Sequence, residues 1–297
     1  MLSNSHDNKE IGRMNSWLQH LKGWKRPLQF AVAISLLCAL YWVADWREVA
    51  AAVGRLNPMF LLVAWALFVP QTLVSAWRWQ QIVKPAGEPS LSECLKATLA
   101  AAAFNLVIPS KLGDVNKLSV VPAGNRKSGI LWLALEKGFD VGALLVLISL
   151  GLLGCGWLAL TIVLAAVAGT CSLVARTAIG PPLITRWAPV IGTSAMLWCL
   201  HMLQIDLFCK AAGVFVAGDF ALWRIPLAIF AGLVPLTMWG LGTRDAALVA
   251  LFAGVAPSAT MATVGLLTAT RYLIPGVVGI PCIITRKVGR QSAAGAV

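Results

Sequence analysis

Residues 90–118 read SLSECLKATLAAAAFNLVIPSKLGDVNKL, and residues 221–256 read ALWRIPLAIFAGLVPLTMWGLGTRDAALVALFAGVA. Each is an apolar helical run, a break at Pro and Gly, and a second helical run, with charge gathered at the break. Non-helical backbone at membrane depth is tolerated only where protein or a wet cavity satisfies its polar groups. Whether these stretches cross a membrane, or enter and leave through one face, decides the fold.

That lipid is the solvent follows from composition. The 297 residues are 59% hydrophobic and only 12% charged, with a mean hydropathy of +0.79. A soluble domain carries about 25% charged residues to solvate its surface. The formal charge of +12 forms no continuous basic tract, which excludes a nucleic-acid partner. Seven cysteines (Cys38, Cys94, Cys155, Cys171, Cys199, Cys209, Cys282) lie in or beside apolar runs without a CxxC pair, so neither zinc nor a disulfide framework is predicted, and no cofactor.

Six segments approach the roughly 20 apolar residues that a spanning helix needs: 27–46, 57–76, 129–153, 156–175, 187–209 and 258–284. Residues 1–26 are read as a cytoplasmic amphipathic segment that lies on an anionic lipid surface. Ile11, Met14, Trp17, Leu18, Leu21 and Trp24 recur there at helical spacing among Lys9, Arg13, Lys22, Lys25 and Arg26. Trp42, Trp46, Trp77, Trp79, Trp157, Trp187 and Trp223 sit near segment ends, as interfacial rings do. Residues 285–297 form a short basic cytoplasmic tail.

The basic residues choose between the two topologies. With both broken stretches re-entrant, 14 basic residues lie on the cytoplasmic side and four (Arg47, Arg55, Lys210, Arg224) outside. With the broken helices spanning, the same 18 divide nine to nine. Positive-inside bias selects the re-entrant form with both termini cytoplasmic. The predicted fold is an all-α polytopic membrane protein of about six full spans and two re-entrant helical hairpins. Residues 27–153 and 156–284 then share the order span, span, hairpin, span, over 127 and 129 residues. Three crossings invert the second repeat against the first. Paired interrupted helices in inverted repeats mark the substrate site of alternating-access transporters.

The candidate site follows from the charges left inside. A charge in hydrocarbon costs about 2.5–3.5 kcal/mol on insertion scales, so each needs a partner or a wet cavity. In the first hairpin Asn105, Ser110, Lys111, Asp114 and Lys117 are candidate substrate-binding residues, with Pro109 and Gly113 breaking the backbone. A helix starting near Gly113 would aim free N–H groups and a positive dipole end at an anion. In the second, Gly240 and Gly242 permit a tight turn beyond Pro235, and Arg244 with Asp245 offers a fork suited to phosphate oxygens. The structural alternatives are a solvated loop at the first hairpin and a ligand-free Arg–Asp pair at the second. Glu136, Lys137 and Asp140, with Arg271, form a possible proton or charge network. Its static alternative has Lys137 and Arg271 neutralising both carboxylates. Asp206 and Lys210 are four apart and predict a local salt bridge. Ala100–Ala103 predicts close helix packing.

Arg78-Trp79, Asn105 through Lys117, Glu136-Lys137 with Asp140, and Pro235 through Asp245 together resemble the transmembrane region of lysylphosphatidylglycerol synthases, the flippase-like half of multiple peptide resistance factors. The family pattern is similar to Asn, Pro, then Gly-Glu-x-x-Arg, against Gly113-Asp114-Val115-Asn116-Lys117 here. Its Glu-Arg becomes Glu136-Lys137, and its Gly-x-Arg-Glu becomes Gly242-Thr243-Arg244-Asp245. The resemblance implies a stand-alone member without the synthase domain, one that moves a polar-headgroup lipid between leaflets of a bacterial cytoplasmic membrane. Homo-oligomers and a lipid-synthesis partner are compatible with it. No Walker, HExxH or G-x-S-x-G motif occurs, so no enzyme is predicted. A proton-coupled small-solute transporter is the alternative, ahead of a lipid-phosphate transferase.

Overall fold

The computed structural model of the chain describes residues 31–154 apart from 33 and 43, residues 156 and 158, and residues 183–233 and 240–294. The span read at 156–175, the N-terminal amphipathic segment and Pro235 lie outside the described residues. Among the described residues there is no strand. The helices are α1 (34–42), α2 (Trp46–Gly54), α3 (Pro58–Ala66), α4 (Phe68–Val83), α5 (Leu91–Val107), α6 (Arg126–Gly154), α7 (Leu183–Ala211), α8 (Gly218–Leu233), α9 (Thr243–Leu251) and α10 (Ser258–Ala294).

Among the described residues three stretches are long and apolar enough to cross a membrane: Pro58–Ala86, Trp187–Ala211 and Ser258–Ile283. The second span therefore runs past its predicted end at 76. α6 has 29 residues but carries Glu136, Lys137 and Asp140 in its N-terminal half. Outward-facing Leu62, Val146, Ile191 and Val277 are exposed, an apolar surface that suits lipid rather than water.

Hydrogen bonds fix how the long helices run. Asn57 N donates to the Ala211 carbonyl at 2.8 Å, Gln204 Nε2 to the Ala64 carbonyl at 2.8 Å, and Gln71 Nε2 to the Leu200 carbonyl at 3.1 Å. The α3–α4 unit and α7 are therefore antiparallel. We call the end where α4 stops and α6 and α7 begin the first face, and the opposite end the second face.

Both broken stretches fold back on themselves. Ser90 starts α5 with a capping box: its Oγ accepts from Glu93 N at 3.2 Å, and Glu93 Oε2 accepts from Ser90 N at 2.8 Å. Pro109 ends the helix, because the residue before proline avoids the α region; Ile108 is extended at φ −95°, ψ 119°. The chain returns as 3-10 turns over Pro109–Val120. A Cβ on Gly113 would lie 2.7 Å from Asn105 N and 2.8 Å from the Ala101 carbonyl, so the return packs directly on α5. The predicted helix start near Gly113 is thus replaced by 3-10 turns: α5 crowds the backbone there.

The second stretch behaves likewise. Arg224 Nε near the start of α8 donates to the Leu251 carbonyl at the end of α9, at 2.9 Å. At the opposite end Gly240, with φ +72°, sits where a Cβ would lie 2.8 Å from the Gly232 carbonyl. Gly151, near the end of α6, abuts Trp223, which puts the mouth of this hairpin on the second face. The first hairpin opens on the first face, between α4 and α6.

α10 receives both tips. Gly265 is pressed against Asp245 of α9, and Gly276 against Leu106 of α5. Eleven residues are close to three helical turns, so both glycines share one side of α10, ~16 Å apart along its axis. Ala100, Ala101 and Ala103 are buried, as the alanine run predicts, with Gly279 against Ala103 and the Leu99 carbonyl. Trp79 and Trp187 are not interfacial as predicted: both are buried in one core cluster with Val83, Cys94 and Val121. They follow the inward faces of α4 and α7, whereas Trp42 and Trp46 are exposed.

Asp206 and Lys210 pair at 2.8 Å with about a third of each side chain exposed. Such i,i+4 pairs contribute about 0.3–0.5 kcal/mol. Lys210→Met should therefore leave thermal unfolding in detergent almost unchanged, and it provides a control for the interior substitutions below.

Candidate functional site

The interior charges divide into two groups, one at each hairpin. The first is built where α4, α6 and the returning 109–120 segment meet. On α6, Glu136 and Asp140 are one turn apart and face α4, while Lys137 turns toward the hairpin. Arg78, 2% exposed on α4, bridges the two carboxylates. Its Nη2 donates to Glu136 Oε1 at 2.9 Å and its Nη1 to Asp140 Oδ1 at 2.7 Å. Nη1 also reaches Ser194 Oγ on α7 at 3.2 Å. Lys117 Nζ donates to both Glu136 oxygens, at 2.8 and 3.1 Å. Lys137 Nζ pairs with Asp114 Oδ2 at 2.5 Å, and Asn105 Nδ2 donates to Asp114 Oδ1 at 2.8 Å. Trp79 Nε1 donates to the Lys117 carbonyl at 3.2 Å.

Three cations (Arg78, Lys117, Lys137) thus meet three carboxylates (Asp114, Glu136, Asp140), and the cluster is neutral. Glu136 is 0% and Lys117 4% exposed. Lys117 is committed to the Glu136 carboxylate. The chemistry of this cluster is mechanical: it ties the first hairpin to α4 and α6. It corrects one expected pairing. Arg78 bridges Glu136 and Asp140, Lys137 also lies 4.0 Å from Asp140 as expected, and Arg271, on α10, takes no part. The side chains of Pro109, Ser110 and Lys111 lie outside the described residues.

At the second hairpin, Gly242 (φ +86°) turns the chain into α9, and its N–H donates to Asp245 Oδ2 at 3.1 Å. Arg244 Nε and Nη2 donate to Asp245 Oδ1 at 2.9 and 2.7 Å, and Nη2 also to the Gly265 carbonyl of α10 at 3.0 Å. Both residues are buried. Asp245 therefore does both things the sequence allowed: it caps α9 and holds the guanidinium fork. Among the described residues Nη1 of Arg244 has no hydrogen-bond partner. Arg271 lies on α10 between the two hairpin tips, its guanidinium 5.6 Å from the Tyr272 ring.

A cavity of about 860 Å³ opens beside the mouth of the first hairpin on the first face, lined by Glu93, Lys96, Phe104, Asn116, Ser119 and Ile283 among others. Among the described residues no group of three His, Cys, Asp or Glu side chains could hold a metal ion. Arg78 is the residue that sequence reasoning placed wrongly, as one of the 14 basic residues counted on the cytoplasmic side. The signal lay in α4, whose helical run carries Arg78 inward of Val83. Gln71 and Gln204 were also missed; they pair at 3.2 Å across α4 and α7.

No curated protein sequence matches the chain. The family model described as the lysylphosphatidylglycerol synthase TM region matches residues 28–180, just over half of the 297 residues. That stretch holds every member of the neutral network, from Arg78 to Asp140. With its apolar spans and its lipid-facing surface, the chain is an integral membrane protein and belongs to the lysylphosphatidylglycerol synthase TM region family.

Proposed function

We propose that the protein moves a polar-headgroup, phosphate-bearing lipid between the leaflets of a bacterial cytoplasmic membrane. The observation that carries this reading is the pair of hairpins, opening on opposite faces and bringing their tips to one side of α10. In this reading both hairpins are re-entrant and the two halves are inverted repeats, as in alternating-access carriers. The first face is cytoplasmic, with Lys84, Arg126, Lys127, Arg186, Arg286, Lys287 and Arg290 at its helix ends against Arg47, Arg55, Lys210 and Arg224 on the second. The family name points the same way, since it denotes the membrane region of a lipid-modifying enzyme. The neutral network argues against proton coupling, because Arg78 bridges the carboxylates whose repulsion such coupling would use.

The cavity beside the first hairpin is the entry for the headgroup from the first face, and Lys96, exposed at its wall, is the charge an anionic headgroup meets. The test uses vesicles that contain a fluorescent phosphatidylglycerol, with an impermeant quencher added outside. Protein-free vesicles lose only the outer half of the signal, and the reconstituted protein should carry quenching well beyond half. A basic residue near an anionic lipid surface contributes about 1 kcal/mol, so Lys96→Glu, which reverses that attraction, should slow exchange more than about tenfold. Quenching that stops at half with correctly folded protein overturns the proposal.

A further inference from the structure

Counting the two interior clusters separately shows where an anion can bind. The first is neutral and every cation in it is paired. The second holds Arg244, Asp245 and Arg271, a net charge of one positive. Among the described residues two buried donors here lack a hydrogen-bond partner. Arg244 is 3% exposed, yet its Nη1 has no partner, and neither has Tyr41 Oη. Among the described residues Arg271 has no acidic partner. Its neighbours are the Tyr272 ring and the guanidinium of Arg244, which repels it. A buried donor without a partner costs about 1–3 kcal/mol, and more when charged. Two like charges held together in the interior add to that cost unless an anion lies between them.

Tyr41 and Arg271 each lie within electrostatic reach of Arg244. Tyr41 packs against the buried cluster of Ala44, Val49, Ala259 and Ala262, as does Val249 of α9; Val249 is one turn from Asp245 and Ala262 one turn from Gly265. Tyr41 lies in the field of both Asp245 and Arg244. Arg244 is anchored to the Gly265 carbonyl, and Arg271 follows six residues on, ~9 Å further along α10 toward the first hairpin.

We infer that Arg244 Nη1, Arg271 and Tyr41 Oη form an oxyanion subsite that takes the phosphodiester group of a lipid. Guanidinium forks match phosphate oxygens in pairs, and a net charge of one positive matches the monoanion of a phosphodiester. The first hairpin then serves as the latch and the second as the binding element. The inference deepens the proposed lipid translocation and rests on it for the lipid source of the phosphate; free phosphate would offer the same oxygens.

The experiment compares the protein in maltoside micelles, which carry no phosphate, with Arg271→Gln, Tyr41→Phe and, as control, Lys210→Met. The probes are a short-chain phosphatidylglycerol and, separately, inorganic phosphate. The lipid should bind the parent and Lys210→Met alike. Losing one charge-assisted bond should weaken it about tenfold or more in Arg271→Gln, and losing one neutral bond about threefold in Tyr41→Phe. Without ligand, Arg271→Gln should unfold no earlier than the parent, since it removes an uncompensated charge. If inorganic phosphate binds with the same dependence while the lipid does not, the oxyanion subsite stands and lipid translocation falls. If both probes bind all variants equally, or if Arg271→Gln unfolds earlier without ligand, the subsite is overturned. Vesicle exchange that persists in that case leaves the translocation reading intact.

Discussion

Glu136→Gln should be among the most destabilising single substitutions in the chain, costing about 3–5 kcal/mol. Glu136 is wholly buried and accepts from both Lys117 and Arg78. The amide keeps the shape but not the charge, and it turns a donor toward a guanidinium or an ammonium. Arg78, Lys117 and Lys137 would then face only Asp114 and Asp140. Breaking one side of a buried pair is costly because the other charge stays desolvated, whereas replacing the pair with apolar groups of similar volume is often close to neutral. Lys117→Met with Glu136→Leu should therefore recover most of the loss, leaving Arg78 on Asp140. Thermal unfolding in detergent, read by loss of the monodisperse peak, checks both. A single variant as stable as the parent would show that water reaches the network. A stable double variant with unaltered lipid exchange would confine the network to holding the hairpin in place.

Gly279→Ala should separate α10 from α5. The added Cβ falls on the carbonyl of Leu99 and within 3.2 Å of the Ala103 Cβ. A helix carbonyl cannot rotate aside, so the helices must shift, and overpacking of this kind costs about 1–3 kcal/mol or more. Gly276→Ala is the informative comparison, since the three atoms nearest its new methyl all belong to the Leu106 side chain, which has other rotamers. The expected order is a clear loss of unfolding temperature for Gly279→Ala and a smaller one for Gly276→Ala. α10 also carries Arg271 and the Gly265 carbonyl that anchors Arg244, so Gly279→Ala should weaken phosphatidylglycerol binding as well. Equal effects of the two substitutions would mean that α5 and α10 are not in backbone contact.

Much of this architecture is legible in the residues because lipid leaves so few choices. A backbone without water must satisfy its own hydrogen bonds, so apolar runs become helices. Ser90 with Glu93 starts α5, Pro109 ends it, and Gly240 with Gly242 turns the chain into α9. The alanine run at 100–103 and the Asp206–Lys210 pair follow from helical spacing alone. The 3-10 form of the 109–120 return did not follow, because it depends on how closely α5 lies beside Gly113. The burial of Trp79 and Trp187 did not follow either, because it depends on which way α4 and α7 face each other.

The sequence by itself determined an all-helical membrane chain, the two broken stretches, and the identity of most interior charges. A buried charge needs a partner whatever the fold, so those residues announce themselves. Tertiary structure alone decided who partners whom. Arg78, not Arg271, bridges Glu136 and Asp140, because the rotation of α4 against α6 brings residues about 60 positions apart to 2.9 Å and 2.7 Å. That choice leaves Arg271 unpaired between the hairpin tips, and Lys117 closed where an open anion site was expected. Helical periodicity fixes which side chains share a face, but only the packing of one helix on another sets which faces meet.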